Sequence, residues 1–435
     1  MNLQHNLNNL PVISDYDDLV NFNNSLPSSF QPLNIESVSY AKNIIIANGD
    51  SIGIDRFLYN YITSPYRLTG NIVRLKEYDF SKLSLLLHPR EFFEEFEAYI
   101  NNLLLFGKTR LKLWEFYIKI ERDDIILTRY NNHQAEEIFI PYFITRIEEL
   151  TSNRSNVRKV VIQEGSKLTY IAREAFVGCS KLKEINLPDS ITWIGDGCFA
   201  GTALESIQLP PHLNRLYSCI FKGCKNLTNV VLPDNITKIS FDCFHKTPLR
   251  SIVLPAHLKD LDYCVFKDCT LLSHVTFNNE LKEIGAGAFE NCKSLQEIKL
   301  PESLLYIDLE AFAGCSSLTE VVIPNGLDGI GKRAFKECTN LRKVVIGTGL
   351  KLIYPEAFIN CRKLKEIIIP ESVEEICLHA FSNTAVEELV LPKNVITSSY
   401  KMRDADFPPT PLTSLEIVKE TIAVGCKNLK SVKFV

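Results

Sequence analysis

Three groups of residues could carry chemistry. Gly49-Asp50-Ser51 follows the apolar run KNIIIA at 42–47, and a serine on such a turn acts as a nucleophile when a histidine takes its proton. That arrangement needs Asp-x-x-His late in the same domain. His88 is preceded at that distance by Leu85 and His133 by Tyr130, so Ser51 reads as a plain turn residue. The second group is the thirteen cysteines, none before Cys179. Structural zinc favours C-x-x-C pairs combined with a second pair. Here Cys269, Cys292, Cys315, Cys338 and Cys361 are each 23 apart, and the closest pairs, Cys219/Cys224 and Cys264/Cys269, have a longer gap and no second pair nearby. An odd total also argues against a disulfide framework. The expectation is buried free thiols, no metal and no cofactor. The third group is a set of charged and apolar residues whose spacing becomes legible only once the elements carrying them are known.

Those elements repeat. Phe176, Phe199, Phe221, Phe244, Phe266, Phe289, Phe312, Phe335, Phe358 and Phe381 follow one another at intervals of 22 or 23. One unit, CSKLKEINLPDSITWIGDGCF, is reproduced by CKSLQEIKLPESLLYIDLEAF and CRKLKEIIIPESVEEICLHAF. Apolar pairs two apart, such as Ile185/Leu187, Ile298/Leu300 and Ile367/Ile369, have the period of a half-buried strand. A proline closes each strand (Pro188, Pro210, Pro233, Pro255, Pro301, Pro324, Pro370, Pro392), where its missing donor no longer matters; Asn278 and Gly347, both turn formers, replace it twice. Units with Cys three residues after the Phe run C-x-x-L, whereas those with Thr202, Thr247 or Thr384 run T-x-L and are one residue shorter.

Weaker copies extend the array: strands ending at Pro141 and Gln163 upstream, and at Leu415/Ile417 and Val432/Phe434 downstream. About fourteen strands at ~4.8 Å spacing predict a stack roughly 65 Å long. One unit cannot bury its own apolar face, so the array is a solenoid whose repeated Phe forms an internal spine.

With inward positions committed to the core, function falls to the outward ones. The position between the two inward residues ends in an apolar ridge, Val322, Val345, Ile368 and Val390; the preceding outward position forms an acidic rail with one basic break, Glu297, Glu320, Lys343, Glu366 and Glu388. A ridge of this kind beside charges has the make-up of a protein-binding patch. The alternative is that β-branched residues simply suit a sheet surface and that Arg342 or Lys365 neutralises the rail.

The pattern L-x-x-I-x-[IL]-P-x-x-[IL]-x-x-I-x-x-x-[AC]-F-x-x-C, carried over residues 136–435, resembles the BspA-type leucine-rich repeat. The resemblance implies a right-handed solenoid with a parallel sheet on its concave side, used for protein binding. KNVITSSYKMRDADFPPTP departs from it, making the units over 393–435 irregular, and KSVKFV ends the sequence as a strand with an open edge.

Residues 1–130 show neither repeat nor cysteine and read as a small α+β domain: the strand at 42–47, a helix through HPREFFEEFEAYINNLLLFG with Phe92, Phe93, Phe96, Tyr99, Ile100 and Leu103 at helical spacing, and one or two strands in LKLWEFYIKIERDDIILTRY. IANGDSIGID with that helix is similar to the SUKH superfamily, which implies a binding domain without catalysis. The expected organisation is therefore 1–130, α+β, and 131–435, solenoid.

A formal charge of −4 offers no basic field for nucleic acid or an anionic membrane. Asp15, Asp17 and Asp18 stand where a secretory signal needs a basic end and an apolar run, and no apolar stretch reaches the roughly 20 residues of a membrane span. These features predict a cytoplasmic, non-enzymatic protein with a protein partner. The alternatives are an enzyme or effector with its activity in residues 1–130 and the solenoid selecting substrates, and a cell-surface adhesin.

Overall fold

The computed structural model describes residues 74–75, 78–79, 116–121, 124–130, 134–140, 144–148, 156–399 and 409–435. The strand at 42–47, the turn at Ser51 and the helix over 88–107 lie outside the described residues. The chain divides into two compact units, residues 1–151 with 160–170, and residues 152–159 with 171–435.

In the first unit, LKLWEFYIKIERDDIILTRY contains two strands, Phe116–Glu121 and Asp124–Tyr130, paired antiparallel with an irregularity between Tyr117 and Ile118. Asp124–Tyr130 also pairs parallel with Arg146–Ile147. Ile126, Leu127, Tyr130, Ile144 and Ile147 are buried. The Asp124 carboxylate accepts from the Thr145 hydroxyl at 2.9 Å and Arg146 at 3.3 Å.

The second unit is a parallel-strand solenoid of roughly 23 residues per turn. Most turns contribute two strands; in the turn of Ile298 the first row is reduced to a single bridge, Glu297 to Glu320. The first-row strands are those the proline pattern marks, for example Ser206–Gln208, Asn229–Val231, Glu320–Ile323, Lys343–Ile346 and Glu366–Ile368. Their ladder is interrupted. Ser206–Gln208 pairs with Asn229–Val231, Ser251–Val253 with His274–Thr276, and Glu320–Ile323, Lys343–Ile346 and Glu366–Ile368 form one run. Three of the interruptions fall just before Ser206, Ser251 and Glu388, at the strands that follow the shortened Thr202, Thr247 and Thr384 loops. At Ser206 and Ser251 the strands on either side remain neighbours, so the residue missing from the loop costs the ladder bonds rather than the packing.

The second row is absent from the sequence expectations. Arg215–Leu216, Lys238–Ile239, Asp260–Leu261, Glu283–Ile284, Tyr306–Ile307, Gly329–Ile330, Leu352–Ile353 and Glu375–Ile376 pair parallel in unbroken succession, continuing to Ile396–Thr397 and closing on Thr410–Pro411, which runs antiparallel. Two residues are too few to show alternation, so only the recurring Ile or Leu signalled this sheet.

Between the rows lies the Phe column. All ten rings are fully buried, and successive rings stack with centroids 5.2 to 5.8 Å apart. The backbone around each Phe makes a third axial ladder. In the turn of Phe335, the N–H groups of Arg333, Phe335 and Glu337 donate to the carbonyls of Pro355, Ala357 and Ile359 one turn on. The two flanking residues have φ near +60° in turn after turn, for instance Glu310, Arg333, Glu356 and His379 on one side and Asn291, Gly314, Glu337 and Asn360 on the other. Each non-glycine residue there costs about 1–2 kcal/mol of backbone strain.

One strand expectation fails. Leu415/Ile417 belong to a helix, Leu415–Glu420, not to a first-row strand. Ser414 caps it, accepting from the Ile417 N–H at 3.2 Å, and Val418 is the side chain it buries, so the apparent alternation of Leu415 and Ile417 was accidental. The strand Ser431–Phe434 pairs parallel with Glu388–Leu391, residues 392–430 intervening.

The stacked column makes Phe312, in the middle of the array, a direct probe of the core. Phe312→Ala should lower stability by about 3–5 kcal/mol in chemical denaturation. A loss under about 1 kcal/mol would mean that the neighbouring rings collapse into the space.

Candidate functional site

The first-row face carries the nine residues singled out by sequence. Val322, Val345 and Ile368 stand opposite one another across three paired strands. Val322 and Ile368 are 52% and 56% exposed, whereas Val345 is half-buried between them. Val390 is exposed but lies outside this ladder: its strand pairs on the other side, placing it opposite Lys433. The continuous part of the ridge is therefore three residues long, ending at the shortened Thr384 loop.

The rail is less acidic than its sequence. Lys343 lies 3.4 Å from Glu320, and Lys433 forms an ion pair with Glu388. Glu297 bridges in parallel to Glu320, and Glu366 stands opposite Lys343 in register. Among the described residues neither Glu297 nor Glu366 has an ion-pair partner within 4 Å. Exposed pairs of this kind contribute about 0–1 kcal/mol, so they set the sign of the surface more than they hold it together.

The cysteines do something the sequence did not disclose. Cys292, Cys315, Cys338 and Cys361 each donate from Sγ to the Phe carbonyl of the preceding turn, at 3.1 to 3.2 Å. Where Thr replaces Cys, the hydroxyl contacts the next turn's thiol instead: Thr202 with Cys224 at 3.3 Å, Thr247 with Cys269 at 3.3 Å and Thr384 with Cys426 at 3.2 Å. Burial pushes the Cys269 thiol up to about 11, and those of Cys292, Cys315 and Cys338 well above the ordinary thiol value. All thirteen are free. Among the described residues no group of three or more His, Cys, Asp and Glu is arranged to hold a metal ion. Only Cys219 and Cys264 are partly exposed.

The outward face of the second row has its own charge pattern. Asp260, Glu283 and Tyr306 are opposite one another in register. Burial first, then the charges of Asp260, Asp308 and Asp262, raises the Glu283 carboxyl above its ordinary value. Glu356 behaves oppositely: burial works against its ionisation, but Arg333, donating at 2.9 and 3.1 Å, outweighs that and lowers it.

Residues 145–273 and 282–407 match the BspA type leucine rich repeat region, in six copies, and the chain belongs to that family. Among solved structures it is similar to a leucine rich cell surface protein from Faecalibacterium prausnitzii, at 21% identity over 74% of this chain and 93% of that one, with a TM-score of 0.45. A leucine-rich repeat protein from Bacteroides ovatus gives 21% identity over 75% and 100%, with a TM-score of 0.44. The pneumococcal vaccine antigen PcpA gives 20% over 64% and 74%, with a TM-score of 0.43. No curated protein matches.

Two measurements check this description. Alkylation of the native protein should modify Cys219 and Cys264 alone, slowly, while denaturation exposes all thirteen thiols; rapid native labelling of Cys315 would contradict its burial. The second uses pH. A carboxyl whose folded value is raised holds its proton more tightly when folded, so Glu283 opposes folding once pH rises above the unfolded value. Glu283→Gln should raise the thermal midpoint at about pH 7 and make no difference near pH 4 or below. Glu356, being lowered, stabilises above its unfolded value and loses that effect as pH falls, so Glu356→Gln should lower the midpoint at about pH 7 with the gap closing in acid. Equal midpoints for Glu283→Gln and the parent at both pH values would refute the crowding at Glu283.

Proposed function

We propose that this chain is a non-catalytic binding protein that engages a protein partner through its first-row face, centred on Val322, Val345 and Ile368. The observation that carries the proposal is the three-strand register of these side chains, which holds an exposed apolar ridge on a backbone already fixed by axial hydrogen bonds. A surface so pre-organised loses little conformational entropy on association. The Glu320–Lys343 pair and Glu366 form the polar border, with Glu297, Glu388 and Val390 extending the face along the array. We further infer a reducing compartment, the cytoplasm, because thirteen thiols remain unpaired.

The test is affinity capture with the full chain beside a Val322→Arg/Ile368→Arg variant and a Glu366→Lys variant. Both ridge positions are exposed, so the variants should keep the parent's thermal midpoint. A partner held by this face should be lost from the ridge variant, with affinity reduced at least about tenfold, or ~1.4 kcal/mol. An identical captured set and affinity in parent and ridge variant would remove the first-row face from consideration.

A further inference from the structure

We propose that the outward face of the second-row sheet, around Asp260, Glu283 and Asp308, is a second docking surface, whose occupant is an extended lysine- or arginine-rich segment of a partner protein. The surface is a groove of about 420 Å³ spanning successive turns. Its floor exists because of Gly285. A Cβ there would lie 2.8 Å from the Leu261 carbonyl oxygen, so the turn between Asp262 and Asp308 presents no side chain at this position. The notch is thus opened by backbone packing.

The chemistry of its walls selects the occupant. Asp260 and Glu283 face outward in register, with Asp262 and Asp308 two residues further along their turns. The nearby lysines neutralise them only in part: Lys238, opposite Asp260 in register, lies 3.8 Å from Asp262 and is the one cation acting against the raised Glu283 carboxyl, while Lys267 is committed to Glu290 at 2.6 Å. Four carboxylates against one lysine leave a net negative field that a further cation relieves, in line with the raised Glu283 carboxyl. Two rings border the acids. Tyr263 is 49% and Tyr306 54% exposed; Phe241 stacks on one face of Tyr263 at 5.0 Å, and the open ring surfaces can take an ammonium or guanidinium group. Leu309, also exposed, offers a contact for the methylene stem of such a side chain.

A small metal ion fits this chemistry less well, because among the described residues no group is arranged to ligate one. Nucleic acid has the wrong sign. Geometry favours an extended peptide. Neighbouring turns lie ~4.8 Å apart, so the acids of three turns span roughly 10 Å, within reach of two basic side chains at i and i+2, about 6.7 Å apart on an extended chain with flexible stems. This surface belongs to the opposite row of strands from the valine ridge and does not depend on it.

The test uses the full chain and a fluorescein-labelled peptide of about eight residues alternating lysine and alanine, long enough to cross three turns, read by fluorescence anisotropy. Binding should weaken as salt rises from about 50 to about 300 mM, as expected for exposed charges. The variant Asp260→Asn/Glu283→Gln/Asp308→Asn should weaken it at least about tenfold, or ~1.4 kcal/mol. A control with the same change of net charge at exposed acids outside both faces, Asp189→Asn/Asp234→Asn/Glu371→Gln, should bind within about twofold of the parent, or ~0.4 kcal/mol. Tyr263→Ala should weaken binding without altering its salt dependence, and an alternating glutamate–alanine peptide should not bind. Equal losses in the two triple variants would overturn the proposal by showing general charge attraction. So would absence of binding to the parent, or calcium alone binding in calorimetry with a signal that the groove variant loses. Thermal midpoints of both variants separate loss of the groove from loss of the fold.

Discussion

Every turn of this solenoid depends on three backbone N–H groups, those of the buried Phe and of the residues two before and two after it, pointing along the axis to the next turn. The Phe supplies the apolar mass that keeps water out. The flanking residues supply direction, because only a left-handed φ turns their donors toward the neighbour instead of sideways. An unpaired buried N–H costs about 1–3 kcal/mol, comparable with the strain of holding a non-glycine residue left-handed, so the ladder justifies the strain. Glycine at Gly201 and Gly314 avoids the strain, and Asn291 and Asn383 use their side chains for a further axial bond, to Asp268 and Asn360 at 2.9 Å.

The cysteines follow from the same ladder. The carbonyl of each Phe already accepts from the N–H three residues on, as Phe312 does from Cys315, and the next turn's thiol takes its second lone pair. A thiol is small enough to sit at the bend and a weak enough donor to be buried cheaply. Threonine fills the same place only with one residue removed from the loop, and its hydroxyl turns back to its own turn's Phe carbonyl, as Thr247 does to Phe244 at 2.8 Å. That local exchange is felt at a distance: the strand following each threonine loop has lost its ladder to the strand before it, so a core substitution decides where the first-row surface is continuous.

Legibility in the sequence tracked side chains and failed on backbone. The Phe period, the strand-closing prolines and the unit-length rule were readable because each is a residue type at a fixed spacing. The second row was not, since a two-residue strand such as Glu283–Ile284 has no alternation to detect. Nor were the left-handed positions, which hold Glu, Arg, Cys and His as readily as Gly or Asn, because the constraint is imposed by neighbouring turns. The helix Leu415–Glu420 was hidden for the opposite reason: its Leu415 and Ile417 mimic a strand, and the Ser414 cap is visible only if helix is already suspected. For the candidate face, the residues were readable but their relations were not. Sequence puts Val390 on the ridge and leaves Glu320 and Glu388 free; register separates Val390, and Lys343 and Lys433 pair with the acids.

The division of labour within one turn explains how two chemically different surfaces can coexist on so repetitive a scaffold. Inward positions on both rows, such as Val321 and Ile330, are fully committed to the core, while alternate residues such as Val322 face outward and take no part in core packing. Outward positions can therefore drift in charge and size from turn to turn without disturbing the axial ladders. The second row drifts most safely because its ladder is continuous from Arg215 to Thr397, so even four carboxylates over three turns, around Gly285, are held against mutual repulsion by hydrogen bonds that none of their side chains makes. The first row, with its ladder cut at the short loops, keeps an apolar ridge only where three strands remain in register. The surface available to a partner is thus set on one side by sequence drift over a rigid sheet and on the other by where the rigid sheet is interrupted.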